Sequence, residues 1–90
     1  EFDREKLKRG ILKAVKKRQL AEEHIEELVN DIELKLLNRN TTTIKSTEIG
    51  KMVLCRLKKL DTVGYLLYAS VYRDFNSIHD FEQAIVDLKN

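Results

Sequence analysis

The stretch Thr62–Tyr72 carries no charged side chain, in a chain of which 36% is charged. At about 100° per residue, Tyr65, Tyr68, Tyr72 and Phe75 fall on one aromatic stripe. Val63, Leu67 and Val71 form a second, and Leu66 with Ala69 fills much of what is left. A helix apolar on nearly every side is expected to be buried, so this pattern predicts a central helix with the others laid around it. Asp61 stands at the N-cap position, where a carboxylate accepts from free first-turn N–H groups. Gly64 costs a helix about 1 kcal/mol against alanine, which points to a closely packed neighbour.

Ninety residues suffice for one small domain with a single core. With no proline and few glycines, the chain should be ordered and mainly α. The net charge of +2 excludes little, but its distribution is uneven. Eight basic residues and one acid lie between Arg4 and Arg18; six acids and no lysine or arginine lie between Glu22 and Glu33. Such a split suits either an anionic ligand for the first segment or attraction between two neighbouring helices.

The single cysteine, Cys55, excludes an internal disulfide and reads as a small core residue. With no signal peptide and no apolar run of membrane length, a cytoplasmic protein without a membrane partner is expected. The chain starts at Glu1 rather than at Met, as a fragment would.

Taken in order, a first helix is predicted from Arg4 to Lys17 behind Asp3 as N-cap, with Leu7, Ile11, Ala14 and Val15 inward. Lys6, Arg9, Lys13, Lys16 and Lys17 gather on its other side, Lys6 in the first turn where backbone N–H groups also attract anions. A second helix runs from Ala21 to Asn38, burying Leu20, Ile25, Leu28, Val29, Ile32 and Leu36. Its acids include pairs such as Glu23 and Glu27, yet no His, Ser or Cys stands ready to complete a catalytic set. The segment from Arg39 to Lys45 is polar and β-branched, which suits at most a short edge strand. A third helix is expected to start at Ser46 as N-cap and reach Leu60, with Ile49, Val53, Leu57 and Leu60 inward; Gly50 leaves its backbone open to a ligand or to a packing neighbour. Ser77 then caps a fifth helix, with Asp80 at N3 in a capping box and Ile78, Phe81, Ile85 and Leu88 as its apolar residues. His24 and His79 read as surface residues. The expectation is a four-helix bundle plus a C-terminal tail helix, one domain over residues 1–90. No motif of an enzyme is present: no HExxH, no CxxC, no glycine-rich phosphate loop.

As a whole the pattern goes further. Phe2-Asp3-Arg4-Glu5-Lys6-Leu7, with Lys13-Ala14 and Lys17-Arg18, resembles the first helix of an ATP-cone domain. So does Ile44-Lys45-Ser46-Thr47-Glu48-Ile49-Gly50 leading into Leu57-Lys58-Lys59-Leu60-Asp61. The block Val63-Gly64-Tyr65 through Ala69-Ser70-Val71-Tyr72-Arg73-Asp74-Phe75, then Asp80-Phe81-Glu82 and Ala84-Ile85, is similar to the ATP-cone of the NrdR family, bacterial repressors of ribonucleotide reductase operons.

The resemblance implies a regulatory site for ATP or dATP, with Mg, in which Asp3 meets the adenine end and Lys6, Ser46 and Gly50 complete the nucleotide-binding residues. It implies operator DNA and copies of the same chain as partners, with bound nucleotide selecting the oligomer. It also implies zinc in an N-terminal ribbon whose cysteines this sequence lacks. The family's phosphate-binding Val-x-Lys-Arg-Asp-Gly motif would precede residue 1. Gly64 stands where that family usually has alanine, Val15 where it often has cysteine, and Gln19 where it often has proline. The nearby chain end favours the repressor over the alternative, an ATP-cone at the N-terminus of a ribonucleotide reductase. A third reading is a helical interaction or DNA-binding module without nucleotide.

Overall fold

A computed structural model describes residues 2–39 and 44–90. Five α-helices account for most of it: α1 Arg4–Ala14, α2 Glu22–Leu37, α3 Ser46–Leu60, α4 Thr62–Tyr72 and α5 Ile78–Lys89. The mainly α expectation is met. Among the described residues there is no strand, and of the segment Arg39 to Lys45 that suited an edge strand, residues 40–43 lie outside them.

The first helix ends earlier than its apolar period suggests. After Ala14 the chain tightens into a 3-10 turn, Lys16–Arg18, in which the Arg18 N–H donates to the Val15 carbonyl at 2.9 Å. Gln19 follows in the left-handed region at φ 53°, which stops helix propagation. That turn aims Arg18 at Asp61, whose carboxylate accepts from the guanidinium at 2.8 and 3.0 Å. Asp61 is also the expected cap of α4, accepting from the Gly64 N–H at 2.7 Å. These cationic and backbone donors hold its carboxyl below the ordinary range.

Four helices close into a ring: α1 against α2, α2 against α3, α3 against α4, and α4 back against α1, with α5 laid on α4. α2 supplies Ile25, Leu28, Val29, Ile32 and Leu36 to the core, at the spacing its sequence shows. α1 adds Ile11 and Val15, and α3 adds Val53, Leu54 and Leu57. Each such side chain, removed from water, contributes roughly 1.5–3 kcal/mol.

The expectation for α4 needs correcting. Only Gly64, Tyr65 and Ala69 are buried, and Val71 is 70% exposed. The uncharged surface of α4 is divided among three uses. One face meets the core, Tyr68 and Tyr72 line a cavity, and Val63 and Val71 face outward. Cys55 is also exposed rather than buried, because it sits on the side of α3 away from the inward-facing Val53 and Leu57. Gly64 does have close neighbours: an added Cβ would lie 3.0 Å from the Asp61 carboxylate and 3.5 Å from Val15.

α5 starts behind Ser77, whose hydroxyl accepts from the Asp80 N–H at 3.4 Å. Asp80 reaches back to the Asn76 N–H at 3.0 Å, one residue earlier than in an ordinary capping box. Phe81 meets Phe75 edge-on at 4.9 Å, and Ala84 and Leu88 turn inward. Ile78 stays largely in solvent, and Ile85 and Val86 are about half exposed.

Candidate functional site

A cavity of about 300 Å³ opens where the starts of α1 and α3 meet the second half of α4. Asp3, Lys6, Ser46 and Gly50, the four residues picked from the sequence, all line it. Phe2, Leu7, Ile49, Tyr68 and Tyr72 complete the wall. The volume lies at the lower end of ordinary small-molecule sites.

Each of the four has a definite local role. Asp3 caps α1, its Oδ1 accepting from the Lys6 N–H at 3.1 Å, so that first-turn donor is already used. The second carboxylate oxygen has no hydrogen bond among the described residues. Lys6 is exposed, and among the described residues no carboxylate lies within salt-bridge distance of it.

Ser46 is not the cap of α3 but its first helical residue. Lys45 holds the cap position and offers no side-chain acceptor. An α-helix whose first turn lacks a side-chain cap leaves N–H donors and the positive dipole end for a ligand. The two helix starts therefore differ: α1 is closed by its own carboxylate, and α3 is open.

Gly50 is explained by packing. A Cβ there would overlap the ring of Tyr72, which lies directly on the α3 backbone. The Tyr72 hydroxyl donates to the Thr47 carbonyl at 3.0 Å, pinning α4 to the first turn of α3. Tyr68 and Tyr72 stack at 5.8 Å with an interplanar angle of 11°. Burial first, with Tyr72 adding to it, raises the Tyr68 phenol above its usual range. The tyrosines stood in the sequence as an aromatic stripe, but an apolar stripe at helical spacing looks the same whether it fills a core or lines a cavity.

The basic side of α1 also divides. Arg4 and Lys8 turn to the acids of α2: Arg4 to Glu26 and, at 3.7 Å, to Glu33; Lys8 to Glu22 at 3.1 Å and Glu26 at 2.6 Å. The Glu26 carboxyl is held low by Lys8 first and Arg4 second. Attraction between the two helices thus accounts for part of the charge split. Lys6, Lys13, Lys16 and Lys17 have no such partner among the described residues. A smaller cleft between α2 and α3, of about 200 Å³, holds His24, Glu27, Arg56 and Lys59 and none of the expected residues. Arg56 is engaged there by Asp31.

Among the described residues no three His, Cys, Asp or Glu side chains gather as a metal site, and no helix is long and apolar enough to cross a membrane.

The ATP cone domain family model matches residues 1–78 of the chain. The chain is 46% identical over 89 residues to the transcriptional repressor NrdR of Petrotoga mobilis, an alignment covering 99% of this chain and 59% of that protein. To the repressor of the same name from Carboxydothermus hydrogenoformans it is 45% identical, covering 99% and 58%. To that of Hyphomonas neptunium it is 48% identical over 84 residues, covering 93% and 53%. The chain thus spans somewhat more than half the length of these curated relatives.

Proposed function

The chain belongs to the ATP-cone family, and we propose that it is the ATP- or dATP-sensing unit of a transcriptional repressor of ribonucleotide reductase genes. In this reading it catalyses nothing. Bound nucleotide sets the oligomeric state of the whole protein, and that state sets its grip on operator DNA. A DNA partner puts the protein in the cytoplasm. The repressor name carried by its relatives favours this over a cone at the head of a reductase.

The observation that carries the reading is the convergence of Asp3, Lys6, Ser46 and Gly50 on one aromatic-walled cavity. The residues fit a nucleotide. Phe2 and the Tyr68–Tyr72 pair offer ring faces to a base. The unused oxygen of Asp3 accepts from an adenine amino group. Lys6 and the uncapped start of α3 offer charge and N–H donors to phosphates, and the Ser46 hydroxyl, free of capping, adds another donor. Mg would arrive on the phosphates, which is its usual mode of binding. No His or Cys lines the cavity, so in this reading zinc belongs only to the ribbon that the family resemblance implies.

Titration with ATP and dATP tests this. Lys6→Ala should weaken binding by about 1.5–3 kcal/mol, because the lost contact is charge-assisted. Lys16→Ala, further along the same basic side, should change it little. Equal weakening by both would mean that the basic side acts as diffuse charge, the signature of a DNA-binding module without nucleotide.

For the oligomer, the outward Ile85 of α5 is the better probe, since Phe81 is partly occupied by Phe75. An amphipathic tail suits a contact in which the same patch serves both copies. Ile85→Glu should shift sedimentation toward monomer with the helical circular dichroism kept. An unchanged oligomer would remove α5 from the interface.

A further inference from the structure

Sharing no residue with the proposed nucleotide cavity, a further cleft of about 270 Å³ lies along α3 against α4, with Arg73 at the end of that helix. Lys51, Lys58 and Arg73 stand around a floor of Leu54, Cys55 and Tyr65, with no carboxylate in the lining. We propose that this cleft is a separate phosphate-binding site.

Arg4, Lys8, Arg18, Arg39 and Arg56 each take a carboxylate; Lys51, Lys58 and Arg73 take none among the described residues. Two flanking acids have hydrogen-bond partners outside the lining, although the Glu48 carboxyl, held low first by Arg39, also feels the Lys51 charge. Glu48, a turn before Lys51, accepts from Arg39 at 2.7 Å, and the Asp87 carboxylate accepts from Gln83 at 3.3 Å. Like charges around one concavity repel, and an oxyanion relieves that repulsion.

Two of the three cations are also positioned by the fold. Lys58 lies in the last turn of α3 and donates to the Asp87 carbonyl at 3.3 Å, which engages one of its three donors. Arg73 caps the end of α4, where the dipole favours a cation. Its planar guanidinium suits bidentate recognition of phosphate, with the lysines as point charges beside it. The phosphate comes from a free nucleotide or from a nucleic-acid backbone; the chemistry recognised is the same.

Cys55 offers a reporter, being exposed, in the floor of the cleft and the only cysteine. The full chain is treated with neutral iodoacetamide in the presence of pyrophosphate, ATP or duplex DNA, with sodium chloride at matched ionic strength as reference. Pyrophosphate should slow alkylation saturably, and the amide resonances of Lys51, Cys55, Lys58 and Arg73 should shift with the same midpoint. In the double variant Lys51→Gln/Arg73→Gln that midpoint should rise by about tenfold or more, as expected for two lost charge-assisted contacts. Lys13→Gln/Lys16→Gln, with the same net charge, should leave it within about twofold. Lys6→Ala should leave it unchanged, which separates this site from the proposed nucleotide cavity. Whichever of ATP and duplex protects at lower phosphate concentration names the source. Absence of both protection and saturable shifts, or equal loss in the two double variants, overturns the proposal.

Discussion

α2 and α4 invert the relation between charge and burial. α2 is crowded with acids yet gives five side chains to the core; α4 has no charge yet buries only Gly64, Tyr65 and Ala69. What separates them is periodicity. In α2 the five buried residues share one face, with only Leu34 and Leu37 left outside it near the helix end, and acids beside that face meet Arg4 and Lys8. In α4 apolar residues point in all directions, so the core is only one of the surfaces they serve. Absence of charge therefore marks a helix with several partners, while a narrow apolar stripe marks one anchored in the core.

The widest gap should appear on truncation. Ile32→Ala in α2, at a residue 1% exposed, should cost about 2–5 kcal/mol in urea unfolding. Val71→Ala in α4, at a residue 70% exposed, should stay within about 0.5 kcal/mol. A large loss at Val71 would restore α4 to the centre of the fold.

Next comes the face of α4 that lines the cavity. Gly50→Ala drives a methyl into the Tyr72 ring and should cost about 1–3 kcal/mol, as overpacking does. Since the ring must swing away from Thr47, nucleotide affinity should fall as well. Stability and affinity both unchanged would show that Tyr72 is not fixed on α3.

A smaller effect tests how α4 begins. Asp61→Ala removes the cap and the anchor of Arg18 and should cost about 0.5–2 kcal/mol at neutral pH. The folded carboxyl titrates below its ordinary value of 3.8. Its contribution is therefore complete above that value and fades as pH falls through the folded value. The difference between the two proteins in thermal melts should narrow only in acid below pH 3.8. A difference that persists undiminished there would assign the loss to packing.

Gly64→Ala should matter least. Better helix propensity gains about 1 kcal/mol, but the new methyl presses on the capping carboxylate at 3.0 Å, which Arg18 and the Gly64 N–H hold in place. A net change within about 0.5 kcal/mol follows from the two. A gain of the full propensity value would mean that the carboxylate yields freely.

Much of this was legible in the sequence, and unevenly so. The Asp3, Asp61 and Ser77 caps and the five core positions of α2 follow from short-range rules, and the structure has them. The four site residues line one cavity, and their contact with a nucleotide rests on the proposal above. Three features escaped, each because it depends on a distant neighbour. Cys55 faces outward because the other side of α3 is the one that meets the core. Ser46 does not cap, because the chain enters α3 one residue earlier, at Lys45. Tyr68 and Tyr72 wall a cavity because the start of α1 lies across them without filling the space.

The ring of helices has a kinetic consequence. Its substantial interfaces join consecutive helices, except that of α1 with α4, which closes a loop spanning most of the chain. Contacts near in sequence form early and cheaply; the closing seam must wait for the long loop. The cavity draws its wall from both sides of that seam, so it should be complete only once the seam has closed. In the native state, an excursion that parts α1 from α4 abolishes it while α2 and α3 stay paired. Any molecule held there biases the chain against that excursion, slowing hydrogen exchange along the seam more than within the α2–α3 pair.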